Sequence, residues 1–213
     1  MLIGAKGEDY MVGDAGDDYL YGNYHDDTLY GNDGNDYLDG GFGYDTLYGG
    51  AGNDTIYGSY GFDTLYGGDG NDVLRGAKGV DYVVGGAGDD YLFGGYHNDT
   101  LYGGEGLDHL FGCAGADRFV FTSLADAGLD ATRDVIGDFQ TGDLIDLSSI
   151  DADTINSGDQ AFTYIGADAF TGVAGSLRYA GGIVSGDVDG DMTADFEVQI
   201  VDIPTLGASD FIL

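Results

Sequence analysis

Gly49-Gly50-Ala51-Gly52-Asn53-Asp54-Thr55-Ile56-Tyr57 is one copy of a pattern that runs from Gly4 to Val120 as thirteen consecutive nine-residue units without a slip of register. Each unit has glycine first, usually glycine fourth, aspartate sixth and an apolar residue eighth. An apolar residue once in nine, set among glycines, suits neither an amphipathic helix nor a long alternating strand. It suits a coil of short strands that bury one side chain each. The six glycine-rich residues are expected to turn and the last three to form a strand whose eighth residue points inward. Two units then make one turn, and two parallel sheets share the inward series Leu2, Met11, Leu20, Leu29, Leu38, Leu47, Ile56, Leu65, Leu74, Val83, Leu92, Leu101, Leu110 and Phe119. Stacked at about 4.8 Å per turn, the repeats predict a rod roughly 30 Å long.

Composition narrows the partners. The 213 residues include 42 glycines and a single proline, and the formal net charge is −33. Thirty-nine acidic residues face only Lys6, Arg75, Lys78, Arg118, Arg133 and Arg178. Such a chain repels nucleic acid and, when compact, itself, so cations are the expected partners. High charge often means disorder, but a strict period with a regular apolar position points to folding that depends on a bound ion. The lone Cys113 excludes an internal disulfide. No segment is apolar enough for a membrane span, and the first residues lack the basic and apolar regions of a signal peptide. No HExxH motif occurs, and His25, His97 and His109 lack the short spacing of zinc ligands. No nucleophile elbow or phosphate loop is present either, so the chain is expected not to be an enzyme.

Aspartates and the backbone carbonyls of glycine turns are hard oxygen ligands, suited to Ca²⁺ rather than zinc, copper or iron. The candidate ligands fall on two edges of the coil. On the even edge the loops start at Gly13, Gly31, Gly49, Gly67, Gly85 and Gly103 and supply Asp18, Asp36, Asp54, Asp72, Asp90 and Asp108; they read as ordinary calcium turns. On the odd edge Asp9, Asp27, Asp45, Asp63, Asp81, Asp99 and Asp117 hold the same position. The odd loops differ at their third position, which holds Lys6, Tyr24, Phe42, Tyr60, Lys78 and Tyr96. Tyr24, Phe42, Tyr60 and Tyr96 are therefore a candidate contact surface, for a saccharide or a partner chain, or a stack that only covers the turns. A shift of eight units matches most positions between 4–39 and 76–111, which suggests a four-turn superperiod.

The consensus GGxGxDxUx, with U apolar, is similar to the calcium-binding nonapeptide of RTX proteins. The resemblance implies an all-β fold: a right-handed parallel β-roll over 1–120, followed by a β-sandwich-like cap over 121–213. In that second region Asp134-Val135-Ile136-Gly137-Asp138-Phe139 and Gly142-Asp143-Leu144-Ile145-Asp146-Leu147-Ser148 resemble the segments that follow the repeats in serralysin-type proteases and alginate epimerase modules. Ser209-Asp210-Phe211-Ile212-Leu213 is similar to the serralysin ending, an uncleaved signal for type I export. The resemblance thus implies multiple Ca²⁺, type I secretion machinery as a partner, and bacterial-type secretion to the extracellular space. Asp187, Asp189, Asp191 and Asp195 have the spacing of a linear calcium loop. Met192 stands where such loops prefer glycine, so a polar hairpin is the competing reading.

Two functions fit these residues. One is a secreted, noncatalytic calcium-binding roll that folds outside the cell and presents a regular surface for assembly or adhesion. The other is the C-terminal folding and export module of a larger secreted enzyme, in contact with polysaccharide. If Met1 is the native start, the strand edges of the first turn predict self-association.

Overall fold

The computed structural model describes residues 1–156, 158–201 and 205–213. Over the repeats, successive strands alternate between two sheets. Leu2–Ile3, Tyr19–Tyr24, Tyr37–Phe42, Thr55–Tyr60, Val73–Lys78, Tyr91–Tyr96 and His109–Ala114 lie in one. Tyr10–Val12, Thr28–Asp33, Thr46–Ala51, Thr64–Asp69, Tyr82–Ala87, Thr100–Glu105 and Arg118–Val120 lie in the other. Neighbours within a sheet are parallel and two units apart: Thr46 pairs with Thr64, Leu47 with Leu65 and Tyr48 with Tyr66. Two units make one turn of a parallel β-roll.

The strands are longer than the expected three residues. Each complete strand runs for six, through the third position of the following unit, as in Thr46–Ala51. Glycine at the first two positions bends the strand without ending it. Gly49 is buried, Gly50 takes φ 118°, and pairing resumes at Gly50 with Gly68 and Ala51 with Asp69. The turn proper therefore shrinks to positions four to six.

The eighth positions form the core as the period predicts. Leu20, Leu29, Leu38 and each later member of the series to Phe119 are 0% exposed, and Met11 is 9% exposed. Leu2, in the first strand of its sheet, is 37% exposed. The column is one side chain wide per strand, so apolar burial alone is a thin source of stability against the entropy of ordering a glycine-rich chain.

The sheets continue past residue 120. Asp134–Ile136 pairs in parallel with His109–Ala114, and Leu144–Asp146 pairs in parallel with Arg118–Val120. Phe196–Ile200 then joins the first sheet and Phe211–Ile212 the second. Ser176–Ala180, Ile183–Asp187 and Phe196–Ile200 form an antiparallel meander. Its first hairpin turns on Gly181-Gly182, both with positive φ, as a two-residue loop between right-twisted strands requires. Phe162 and Phe196 pack edge to face, and Tyr164 packs on Phe211, so the cap has a wider aromatic core than the roll. No helix among the described residues is long and apolar enough to cross a membrane.

Leu65→Ala, at a fully buried central rung, is expected to cost about 2–5 kcal/mol. Leu2→Ala, at a partly exposed rung, is expected to cost well under half as much. Urea midpoints measured in calcium compare the two, and equal losses would show that the eighth positions are not the shared core.

Candidate metal centre

The sixth-position aspartates line the two edges of the roll, but they are not loop-tip side chains. From Asp27 to Asp117 all but a few per cent of each is buried. Their environment repeats from turn to turn. The backbone N–H of each aspartate donates to Oδ1 of the aspartate one turn on. On the odd edge Asp9 donates to Asp27 and Asp27 to Asp45, at 2.7 and 2.8 Å, and the series reaches Asp99 to Asp117 at 2.8 Å. On the even edge it runs from Asp18 to Asp36, at 2.8 Å, through to Asp90 to Asp108, at 2.9 Å. The two edges are thus alike in the feature that the period shares, although their third positions differ.

The second carboxylate oxygen is left over. Oδ2 of Asp27, Asp36, Asp45, Asp54, Asp63, Asp72, Asp81, Asp90, Asp99 and Asp108 is buried without a hydrogen-bond partner. Buried polar atoms in folded proteins are nearly always paired, so ten repeats of the same exception point to a missing ligand. First-position glycine makes room for it. A Cβ on Gly49 would stand 2.2 Å from Asp54 Oδ2 and 2.6 Å from the Gly67 carbonyl oxygen of the next turn. The same two kinds of oxygen flank Gly31, Gly67 and Gly85. A carboxylate oxygen and a backbone carbonyl from adjoining turns, with no donor between them, form a hard-oxygen cradle that fits Ca²⁺. The first-position glycines Gly13, Gly31, Gly49, Gly67, Gly85 and Gly103 thus sit inside the sites named from the sequence.

Burial also sets the electrostatics of these carboxylates, none of which has a basic side chain in ion-pair contact among the described residues. Burial pushes Asp45, Asp54 and Asp108 up to about 7 and Asp63, Asp90 and Asp99 up to about 8, from an ordinary 3.8. The backbone N–H bond partly offsets this, and carboxylates of neighbouring turns add to it. A divalent ion between turns would reverse both effects, by supplying the charge that burial and repulsion call for.

Two members of this system were not assigned from the sequence. Asp108 N–H donates to Asp134 Oδ1 at 2.8 Å, and Asp117 N–H donates to Asp143 Oδ1 at 2.9 Å. Each cap aspartate thereby adds one rung to an edge. Asp134 has the same orphaned Oδ2, and burial raises its carboxyl to about 9. The signal was the Asp-x-apolar triplet in Asp134-Val135-Ile136 and Asp143-Leu144-Ile145, preceded in each case by a loop that is not a nonapeptide.

The cap acidic loop is different. Asp187, Asp189 and Asp195 bring carboxylate oxygens within 4.8 Å of one another. Asp191 turns away and accepts from Thr193. Asp187 accepts from Gly190 N–H at 2.7 Å and Met192 N–H at 3.2 Å, and Asp195 accepts from Val188 N–H at 2.7 Å. Met192 takes φ 75°, the left-handed conformation that glycine would adopt freely. These bonds hold a polar hairpin whose Asp187, Asp189 and Asp195 carboxylates keep acceptor capacity beyond the backbone N–H groups they bind.

Tyr24, Phe42, Tyr60 and Tyr96 do form an exposed row on the odd edge, each at 46–60% exposure. Tyr24 stacks on Phe42 and Phe42 on Tyr60, at centroid distances of 5.6 and 4.6 Å, and Lys78 Nζ lies 4.8 Å from the centre of the Tyr60 ring. A second row was missed: the fifth positions Tyr44, Phe62 and Val80 are 48–59% exposed, with Tyr44 stacked on Phe62. On the even edge five of the six fifth positions are Asp17, Asn35, Asn53, Asn71 and Asp89, whose Oδ1 atoms accept backbone N–H groups of the following turn, the last from Leu107 at the sixth of these positions.

Comparison with known families agrees with this geometry. A family model of four copies of the RTX calcium-binding nonapeptide repeat matches in overlapping stretches at residues 3–38, 12–47, 30–65, 48–83, 57–92, 76–110 and 93–123. No curated protein matches the chain.

The raised carboxyls fix a pH dependence for the metal-free chain. Because the folded values lie above the unfolded one, their contribution is fully present below about pH 3.9 and is lost as pH rises through about 6–9. In chelator, circular dichroism should therefore report more β structure at pH 4 than at pH 8.5, and an inverse trend would count against the buried ladder. Asp63→Asn is the sharper probe, since its Oδ1 can still accept the Asp45 N–H. Without calcium this variant should fold at least as well as the parent. In calcium at 100 times the dissociation constant it should lose about 2.7 kcal/mol of stabilisation for the missing site.

Proposed function

The chain belongs to the RTX calcium-binding nonapeptide repeat family, and on that premise we propose that it is a noncatalytic, secreted protein whose folding is switched on by calcium outside the cell. The observation that carries this reading is the row of buried, unpartnered Oδ2 atoms on both edges. At neutral pH, without a cation, every turn that closes must bury another carboxylate against its neighbours. The apolar column is too thin to offset that repulsion, so the metal-free chain stays open. Calcium supplies the attraction between turns that the sequence withholds, and each ion bound favours the next turn.

Such a switch suits export. A chain that remains open where calcium is scarce can pass through a narrow transporter, and it closes where calcium is abundant. The C-terminal residues support the same order of events. Phe211 is buried, and Phe211–Ile212 pairs with Leu144–Asp146 in the folded cap. A type I exporter that reads Ser209-Asp210-Phe211-Ile212-Leu213 would have to do so before those residues enter the sheet. Once outside, the roll offers a stiff surface that repeats with every turn, for contacts in the extracellular space.

The test is a calcium titration at neutral pH followed by circular dichroism, with native mass spectrometry to count ions. The expected midpoint lies in the range of about 10⁻⁴–10⁻³ M typical of extracellular calcium modules. A β-roll that forms fully at submicromolar calcium, or survives complete chelation at pH 7.5, would defeat the external trigger.

A further inference from the structure

The two edges of the roll are opposite in position and opposite in character. The odd edge carries the exposed aromatic rows and two lysines, Lys6 and Lys78. Among the described residues, neither lysine has a carboxylate within ion-pair distance, although the chain has 39 acidic side chains. The even edge presents, at the matching third positions, Asp33, Asp69 and Glu105, separated by Ala15, Ala51 and Ala87. All of these are exposed. One edge is therefore bulky and aromatic and carries the two lysines along with the exposed Glu8 and Asp26, while the other is acidic with small gaps.

Their spacings agree. Lys6 and Lys78 are eight units apart, as are Asp33 and Glu105, which is four turns in each case. At about 4.8 Å per turn, both pairs are separated by about 19 Å along the roll, with Asp69 midway between the two acids. Third positions on both edges step by one turn, as the stacked rings of Phe42 and Tyr60 do, while the small and acidic residues alternate with a period of two turns.

We propose that the odd edge of one copy docks side by side against the even edge of a second copy of this chain, with Lys6 and Lys78 facing Asp33 and Glu105, Tyr24 and Tyr60 lying over Ala51 and Ala87, and Phe42 beside Asp69. The contact is head-to-tail in symmetry, because each molecule uses one edge and leaves the other free. It generates an open lateral row rather than a closed dimer. This rests on the calcium-folded roll proposed above, and the edges exist only when the turns are stacked. The strip is about 30 Å long and one or two side chains wide. A single contact therefore falls below the area of a stable complex, and association belongs at high local concentration. Calcium enters a second time, since it removes much of the negative charge that would hold two copies apart.

Two charge-reversed variants test this pairing. Lys6→Glu with Lys78→Glu makes both edges acidic, and Asp33→Lys with Glu105→Lys makes both edges basic at the paired positions. Sedimentation velocity in saturating calcium, up to about millimolar protein, should show self-association of the parent. It should be weakened about tenfold or more in each variant alone. An equimolar mixture of the two variants should associate again, because only unlike molecules then match. Circular dichroism of the same samples separates the outcomes. A parent that folds in calcium but stays monomeric would overturn the docking and leave the calcium reading intact, as would variants that associate like the parent or a mixture that does not recover. A folded monomer that instead binds a soluble linear glycan through Tyr24 and Phe42 would also overturn it. A chain with no β signal in calcium would defeat both readings.

Discussion

Everything in this fold hangs on a carboxylate with one oxygen spent and one oxygen spare. Each repeat aspartate uses Oδ1 to hold the backbone of the adjoining turn. That bond fixes the side chain in a dry position and leaves Oδ2 beside the first-position glycine, where the carbonyl of the neighbouring turn also lies. The same interaction therefore builds the turn and creates the charge that opposes it. A polar group left unsatisfied by burial is ordinarily a defect. Repeated ten times in one register, it becomes a row of acceptors that a cation would satisfy.

The glycines follow from that constraint as much as from backbone freedom. First-position glycine is extended rather than left-handed at Gly49 and Gly67, so conformational preference does not require it there. Space does. Any Cβ would sit on the aspartate oxygen and the neighbouring carbonyl. Fourth-position glycine answers a different demand: at Gly61 φ is 151° and a Cβ would fall 1.5 Å from the Gly43 carbonyl oxygen. His25 and His97 occupy that position with φ of 75° and 83°, each ring nitrogen in hydrogen-bond contact with the carbonyl of the residue before it.

The repeat was legible because one unit says what every unit does: the core column, the two sheets and the aspartate positions all follow from a period of nine. What lay beyond the period was harder to read. Asp134 and Asp143 continue the edges, but loops of other lengths precede them, and a triplet alone carries little information. Strand length escaped because glycine is read as a breaker, whereas here a missing side chain is what lets the strands stack. Tyr44, Phe62 and Val80 escaped for another reason. The fifth position varies freely between the edges, and only the stacking of turns brings those three side chains into a row.

The pairing of each unit with the second one after it also limits how the chain can change in length. Inserting or deleting two units together adds or removes a full turn and leaves every other side chain on its own edge. A change of one unit preserves the core column and the aspartate bonds equally well, since all units are alike in those respects. Yet it sends every residue after that point, with the cap that pairs to the last units, to the opposite edge relative to the residues before it, so Phe62 would take the place of an asparagine and Asp69 that of an aromatic. Half a turn gained or lost would leave a sound fold with its faces exchanged partway along. Selection that acts on the surface should accept duplications of whole turns and reject single repeats.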